Sequence, residues 1–512
     1  MRIGIDFGTT RIVVASVDRG NFPLVNFETP DGQACDWFPP VVAVQGSTRL
    51  YGWQAVAALE DDSWTVLRSL KRALRNAGPH TELHAGGQNL PLRLLLSEMM
   101  SCLRTQLLEH SNLSVKSGEP LEAVLGVPAN ANSNQRFLTE EAAQNAGFTV
   151  LGLMNEPSAA AIEYAYRNSA ERGLLVYDMG GGTFDVSLVT LGDDEHTVEA
   201  SDGIPNLGGD DFDRILADLA LETAGHDTGL KAAERHHLLE ECREKKESLN
   251  PNTRKVSIDL ERVRPGWSQV TIAVDTYYER CRPLIESTRE VVESLLAAHS
   301  GLSLDTLYVT GGGSELPPVA RILRETFGRK VRRSAYMRSA SAVGLAIRAS
   351  AQADTLRDQF NQNFGIWREA DSGGTIVFDL IFPRGSRLPR PGEPALSSER
   401  IYHPAHNVGH FRYLECSRLD ERGQPLGEIT NWEQIRFPFD PHLQSAPDLS
   451  SYPVQRLTDQ VNLTIHEKYT CDASGTLQVN ISADPTGFTR KFLIGQPAAA
   501  GASHSSRRSA RA

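Results

Sequence analysis

The stretch Leu174-Leu175-Val176-Tyr177-Asp178-Met179-Gly180-Gly181-Gly182-Thr183-Phe184-Asp185-Val186-Ser187-Leu188-Val189 decides the fold. An apolar run, an Asp at its end, a glycine turn carrying Thr and a second apolar run read as two strands joined by a hairpin. The pattern has a counterpart near the N-terminus, where Gly4-Ile5-Asp6-Phe7-Gly8-Thr9-Thr10 leads into Ile12 to Ala15. Glycines let backbone N–H groups approach an anion closely, and Thr hydroxyls add donors. An Asp on each hairpin suits hydrated Mg²⁺, which keeps most of its waters and favours carboxylates beside substrate phosphates. Either copy alone reads equally well as a tight turn between strands. Both together, each behind an apolar strand, read as two hairpins gripping the phosphates of one nucleotide.

Other nucleotide motifs are missing. There is no Gly-Lys dipeptide for a P-loop, no G-x-G-x-x-G after a strand, and no His-Arg-Asp loop. A third glycine run, Gly311-Gly312-Gly313, follows the strand candidate Thr306 to Val309 and precedes a helix, as a ligand-approaching loop or a plain strand-to-helix turn does.

From Met1 to about Ser350, strand and helix patterns alternate as in α/β architecture. Strands are expected at Ile3 to Ile5, Arg11 to Val17, Val41 to Val44, Ala123 to Val127, Leu174 to Tyr177, Val186 to Val189 and Thr306 to Val309. Helices are expected at Pro91 to Glu109, Asn134 to Asn145, Pro157 to Tyr166, Phe212 to Glu222, His237 to Ser248, Tyr277 to His299, Pro318 to Phe327 and Ala340 to Ser350. Pro91 and Pro157 suit a first helical position, where the missing N–H costs nothing. Residues 351–374 are polar, end in Asp-Ser-Gly-Gly and read as a linker. Residues 375–495 carry short alternating runs separated by turns such as Asp472-Ala473-Ser474-Gly475, which suggests a β-sandwich-like domain. The Ala-, Ser- and Arg-rich tail, 496–512, is expected to be disordered.

The 512 residues carry 52 basic and 64 acidic side chains, a net charge of −12, which disfavours sequence-independent nucleic-acid binding. No uncharged apolar stretch approaches the ~18 residues that span a bilayer, and Asp6 interrupts the first apolar run. Six scattered cysteines with no C-x-x-C pair suggest neither a disulfide framework nor a zinc site. The expectation is a soluble, cytoplasmic protein that engages neither nucleic acid nor membrane.

From Ile3 to about Ser350 these residues resemble the seventy-kilodalton heat-shock chaperones (DnaK-type), within the actin and sugar-kinase fold. The resemblance rests on the two hairpins, Leu70-Lys71-Arg72, Val127-Pro128-Ala129, Leu207-Gly208-Gly209-Asp210-Asp211-Phe212-Asp213 and the Gly311 to Pro317 loop. The run Asn155-Glu156-Pro157-Ser158-Ala159-Ala160-Ala161 separates this family from actins and sugar kinases. The resemblance implies slow Mg²⁺-dependent ATP hydrolysis in a two-lobed, actin-like domain, 1–350, and a polypeptide-binding β domain. By it, Gly8, Thr9, Thr10 and Arg11 line one phosphate loop and Gly180, Gly181, Gly182 and Thr183 the other. Gly208, Gly209, Lys246, Gly311, Gly312 and Gly313 complete the nucleotide site. Asp6 and Asp178 hold the Mg²⁺ waters. Lys71, Glu156, Asp185 and Thr183 form the catalytic set: Lys71 neutralises charge on the transferred phosphoryl, Glu156 senses the γ-phosphate, and Asp185 orients the attacking water.

Three departures stand out. Within Arg243-Glu244-Lys245-Lys246-Glu247, Lys246 is kept, but Arg243 replaces the family's acid and Glu247 its adenine-stacking Arg. Glu315 stands where the family has another Arg on the adenine face, and a carboxylate does not stack on a base as a guanidinium does. Gly152 replaces an Arg used by J-domain partners, which argues against standard co-chaperone control. The second domain resembles the family's peptide-binding sandwich weakly, without a recognisable apolar acidic linker and with no helical lid expected after it. The expectation is therefore a divergent chaperone ATPase acting on unfolded or extended polypeptide. The alternative is a nucleotide-binding adaptor with little turnover that docks a dedicated protein partner.

Overall fold

The computed structural model describes residues 1–512 apart from 76, 79, 117, 169–171, 193–195, 227–228, 351–355, 361, 371–374, 391, 433, 447, 457–462 and 495–512. The described residues divide into two units. The first takes in Met1–Ala77, Thr81–Ala131 and Leu138–Asn361, and the second Gly78–His80, Asn132–Phe137 and the chain from Gln362 onward.

Two sheets carry the first unit. In chain order their strands are β1 (Arg2–Phe7), β2 (Ile12–Ser16), β3 (Glu122–Val127), β4 (Thr149–Asn155), β5 (Gly173–Met179), β6 (Phe184–Leu191), β7 (His196–Ile204), β8 (Thr306–Thr310), β9 (Val331–Arg333) and β10 (Leu356–Arg357). The orders are β4-β3-β1-β2 and β9-β8-β5-β6-β7-β10. In each sheet the Asp-bearing strand of a hairpin pairs antiparallel with its partner, β1 with β2 and β5 with β6. On its other edge it pairs in parallel with an inner strand, β1 with β3 and β5 with β8. The repeat in the sequence is thus a repeat in topology. The inner strands read as near-continuous apolar runs because both faces are covered; Ile3, Ile5 and Leu174 to Tyr177 are fully buried.

Helices α1 (Leu70–Leu74), α2 (Glu156–Arg167), α3 (Gly209–Ala224), α4 (Ala232–Glu247) and α5 (Ala340–Ala349) surround the sheets. Every expected strand and helix of the first 350 residues overlaps an element of that type, although Pro91 caps its helix rather than opening it. Packing explains the Ser-Ala-Ala-Ala run. A Cβ on Gly344 would lie 1.8 Å from the Ala159 carbonyl oxygen, and one on Gly4 would lie 2.3 Å from the Ala346 nitrogen. α5 therefore lies backbone to backbone against α2 on one side and β1 on the other.

The second unit is built from β11 (Asn363–Ala370), β12 (Thr375–Phe382), β13 (Leu396–Tyr402), β14 (Tyr413–Leu419), β15 (Pro425–Asn431), β16 (Thr464–Cys471), β17 (Leu477–Asp484) and β18 (Phe488–Leu493). They form two four-stranded antiparallel sheets, β12-β11-β14-β15 and β13-β16-β17-β18. Side chains of the two sheets meet inside, with the rings of Tyr413 and Tyr469 6.1 Å apart and edge-to-face. Asp472 shapes its turn by accepting from the backbone N–H of Ser474 and Thr476, and Gly475 takes φ +75°. The reading of 351–374 as a linker needs correction at 356–370. β10 pairs with β7, and β11 is an inner strand that buries Phe364 and Ile366. Of that stretch, 351–355, 361 and 371–374 lie outside the described residues, as does the expected disordered tail, 496–512.

The polar character that disguised β11 comes from an interior ion network. Arg368 lies 2.6 Å from Asp379 and 2.5 Å from Glu467, a carboxylate with no solvent exposure, and Arg400 lies 2.8 Å from Asp379. Tyr402 and Tyr469 both donate to Glu467.

Candidate functional site

The turn between β1 and β2 and the turn between β5 and β6 meet face to face because glycine lets them. A Cβ on Gly181 would lie 2.6 Å from Thr10 Cγ2, and one on Gly182 would lie 2.8 Å from Thr9 Cγ2 and 2.5 Å from Arg72 Nε. The loop before α3 closes on the second hairpin, with Gly209 N donating to the Gly180 oxygen (3.0 Å) and Asp210 N to the Gly181 oxygen (2.8 Å). Gly208 fits there because a Cβ would meet the Gly181 backbone at 2.6 Å. Lys246, on α4, ties this loop down by donating to the Gly209 oxygen (2.8 Å) and pairing with Asp213 (2.7 Å). The third glycine run packs onto the end of β5. Gly311 takes φ +83°, and a Cβ there would stand 2.3 Å from Asp178 Oδ1, while one on Gly313 would stand 2.6 Å from the Gly180 oxygen.

These loops line one open cleft. It brings together Asp6, Gly8, Thr9, Thr10, Arg11, Lys71, Glu156, Asp178, Gly180, Gly181, Thr183, Asp185, Gly209, Lys246 and Gly311 to Gly313. Gly182 and Gly208, also expected at the ligand, are buried and are not among the residues lining the cleft; a Cβ on either would run into the facing loop. The cleft also takes in Arg243 and Glu247, read from the sequence as departures at its adenosine face, and Asp210, Asp213, Met337 and Arg338, which the motifs did not assign to it.

At one end the chemistry is acidic and buried. Lys71 Nζ lies 2.5 Å from Glu156 Oε1. Burial and the Glu156 charge push the Asp6 carboxyl up to about 7. The same two causes, in that order, push Asp185 up to about 7. Asp178 is pushed well above the usual carboxylate range by burial, then by Glu156, Asp6 and Asp185. Burial works against the Lys71 charge, but Glu156 and Asp6 outweigh it and hold the ammonium above its ordinary value. Four carboxyls around one ammonium leave this end short of positive charge. Their oxygens suit a hard divalent cation. Among the described residues no three acidic, His or Cys side chains converge closely enough to ligate an ion directly.

The opposite chemistry lies along Arg11, Glu247 and Arg338. Glu247 accepts from Arg11 Nη2 on both oxygens (2.9 Å each) and from Arg338 Nη1 (2.8 Å). Arg338 Nε donates to Glu315 (2.7 Å), and its Nη2 pairs with the same oxygen. Arg243 sits in ion pairs with Glu240 (3.1 Å) and Asp213 (3.8 Å). The departures at 247 and 315 are therefore balanced by guanidinium partners, and that at 243 by carboxylates. Arg338 escaped the motif reading because its partners are distant in the chain.

Two sheets with equivalent hairpins closing on a cleft of glycine turns, buried carboxyls and a lysine define the α/β, actin-like class of phosphate-binding folds. A model of the Hsp70 protein family matches residues 2–360, and the chain belongs to that family. It is 30% identical over 414 residues to a chaperone protein HscA homolog of Vibrio vulnificus, covering 75% of this chain and 64% of that relative. The chaperone protein DnaK of Thermotoga neapolitana is 30% identical over 414 residues, covering 76% of this chain and 66% of its own. A chaperone protein HscA homolog of Methylococcus capsulatus is 29% identical over 461 residues, covering 83% of this chain and 72% of its own. The chain thus spans about two thirds of the length of the first two relatives. Among the described residues, no helix is long and apolar enough to cross a membrane.

Proposed function

We propose that this protein is a divergent molecular chaperone that binds and hydrolyses Mg·ATP to control the binding of unfolded or extended polypeptide by its β-rich domain. The observation that carries this reading is the convergence of both hairpins on the Lys71–Glu156 pair and the carboxyls of Asp6, Asp178 and Asp185 in one cleft. The glycine turns and the hydroxyls of Thr9, Thr10 and Thr183 bind phosphate oxygens, and Lys71 offsets charge on the transferred group. Asp185 orients the attacking water, and Glu156 fixes Lys71 and senses the terminal phosphate. Asp6 and Asp178 would hold Mg²⁺ through its waters, and the ion would supply charge neutralisation between phosphates and carboxyls. The organisation proposed is an ATPase domain, 1–350, and a polypeptide-binding β domain, 375–495, acting in the cytoplasm on polypeptide rather than nucleic acid or membrane. Relatives named for DnaK and HscA support the chaperone class.

The Glu247 and Glu315 departures favour a second reading, a nucleotide-binding adaptor with little turnover that docks one protein partner. Single-turnover hydrolysis of Mg·ATP with and without an unfolded apolar peptide, with Lys71→Ala as control, separates the two. Hydrolysis abolished by the control and accelerated by peptide supports the chaperone. Tight ATP binding without hydrolysis, or hydrolysis indifferent to peptide, supports the adaptor.

A further inference from the structure

The cleft has a phosphate chemistry and a second chemistry of planar cations. Glycine turns, Lys71 and the buried carboxyls account for the first. The nucleoside must then lie along the rest of the cleft, where the cations are Arg11, Arg243, Lys246 and Arg338. Lys246 is consumed by Asp213 and the Gly209 oxygen, and Arg243 by Glu240 and Asp213. Arg11 is held by Glu247 and lies over the Trp37 ring, 5.1 Å from its centroid.

Arg338 is held differently. Its Nε and Nη2 face Glu315 and its Nη1 faces Glu247. Guanidinium N–H groups lie in the plane of the group, so these bonds occupy its edges and leave its faces for stacking. The stem crosses Gly312, where a Cβ would stand 3.6 Å from Arg338 Cγ. The side chain keeps 32% of its surface exposed at the cleft.

We infer that Arg338 is the base platform of this cleft: its guanidinium, framed edge-on by Glu315 and Glu247, stacks on the base of the bound nucleotide. The two glutamates frame the stacking group instead of stacking themselves, and Arg338 is a specificity-determining residue with no part in the phosphate chemistry. The inference rests on the nucleotide-binding reading above.

The test is equilibrium binding of Mg·ATP and of Mg·tripolyphosphate, which has phosphates but no base, to the full chain and to Arg338→Ala, Arg338→Lys and Glu315→Gln. Arg338→Ala is expected to weaken ATP roughly tenfold or more and to leave tripolyphosphate unchanged. Arg338→Lys, which keeps charge without the plane, recovers little of that loss. Glu315→Gln loosens the frame and gives a smaller loss in the same direction. Equal losses for both ligands, full recovery by lysine, or no loss of ATP by Arg338→Ala would each overturn the assignment. If the unaltered chain binds tripolyphosphate but ATP no more tightly, the platform alone fails. If it binds neither, the nucleotide reading fails and the platform with it.

Discussion

Lys71 Nζ stands 2.5 Å from Glu156 Oε1 with the two side chains only 7% and 9% exposed, so α1 and the first turn of α2 are joined by a buried ion pair. Removing one partner of such a pair strands the other charge. Lys71→Ala, which also leaves Asp6, Asp178 and Asp185 without their ammonium, is expected to destabilise the protein by about 3–5 kcal/mol in urea or guanidinium titrations. An unchanged midpoint would mean that the carboxyls simply take up protons.

The contact between α5 and α2 leaves no room for a methyl group at Gly344. Gly344→Ala is expected to cost about 1–3 kcal/mol through overpacking, against the small gain that alanine usually brings to a helix. A denaturation midpoint equal to or above that of the parent would refute the close approach.

Glu467 has no solvent exposure and depends on Arg368, Tyr402 and Tyr469. Arg368→Met should therefore lower the stability of the second unit by about 3–5 kcal/mol. The double variant Arg368→Met with Glu467→Leu should recover much of the loss, giving a strong coupling energy in a double-mutant cycle. Additive losses would show that the network is not a unit.

Burial, and then the charge of Arg68, push His236 on α4 down to about 3 from an ordinary 6.5. On acidification the unfolded chain takes up this proton first, so the native state binds fewer protons between these two values. The stability contributed by neutral His236 is full above pH 6.5 and is lost progressively below it. Asp6 and Asp185, pushed up to about 7, take up protons in the native state over the same range and work in the opposite direction, so the contribution of His236 is read as a difference: between pH 7 and pH 5 the melting temperature of His236→Gln should rise relative to that of the parent. An identical slope in the variant would place the acid sensitivity elsewhere.

What the sequence made legible was local and repeated. The Asp-glycine-Thr hairpins were readable because strand, turn and ligand chemistry coincide within a few residues, whereas the Ala159 to Ala161 run was readable only as a mark of resemblance until its contact with Gly344 gave it a packing reason. β11 was hidden because Arg368, an interior residue, looks like a surface one until its partners at 379 and 467 are in place. Gly182 and Gly208 carry the same signature as the other phosphate-loop glycines and are pressed against the facing loops, a contact that only the third dimension shows. Arg338 had no signal at all, since Glu315 and Glu247 lie 23 and 91 residues away along the chain.

The seam between α5 and α2 also has a mechanical meaning. Long side chains interlock like gear teeth, and one helix can then slide on another only by leaving its rotamers. Here Gly344 faces the backbone of Ala159, and the neighbouring residues Ala160, Ala161 and Ala342 bring only methyl groups. Such a surface is a plain bearing. No interlocking side chains fix the register of the two helices there, and because α5 packs on β1 while α2 packs on β5 and β6, this smooth seam lies between the two sheets that carry the hairpins.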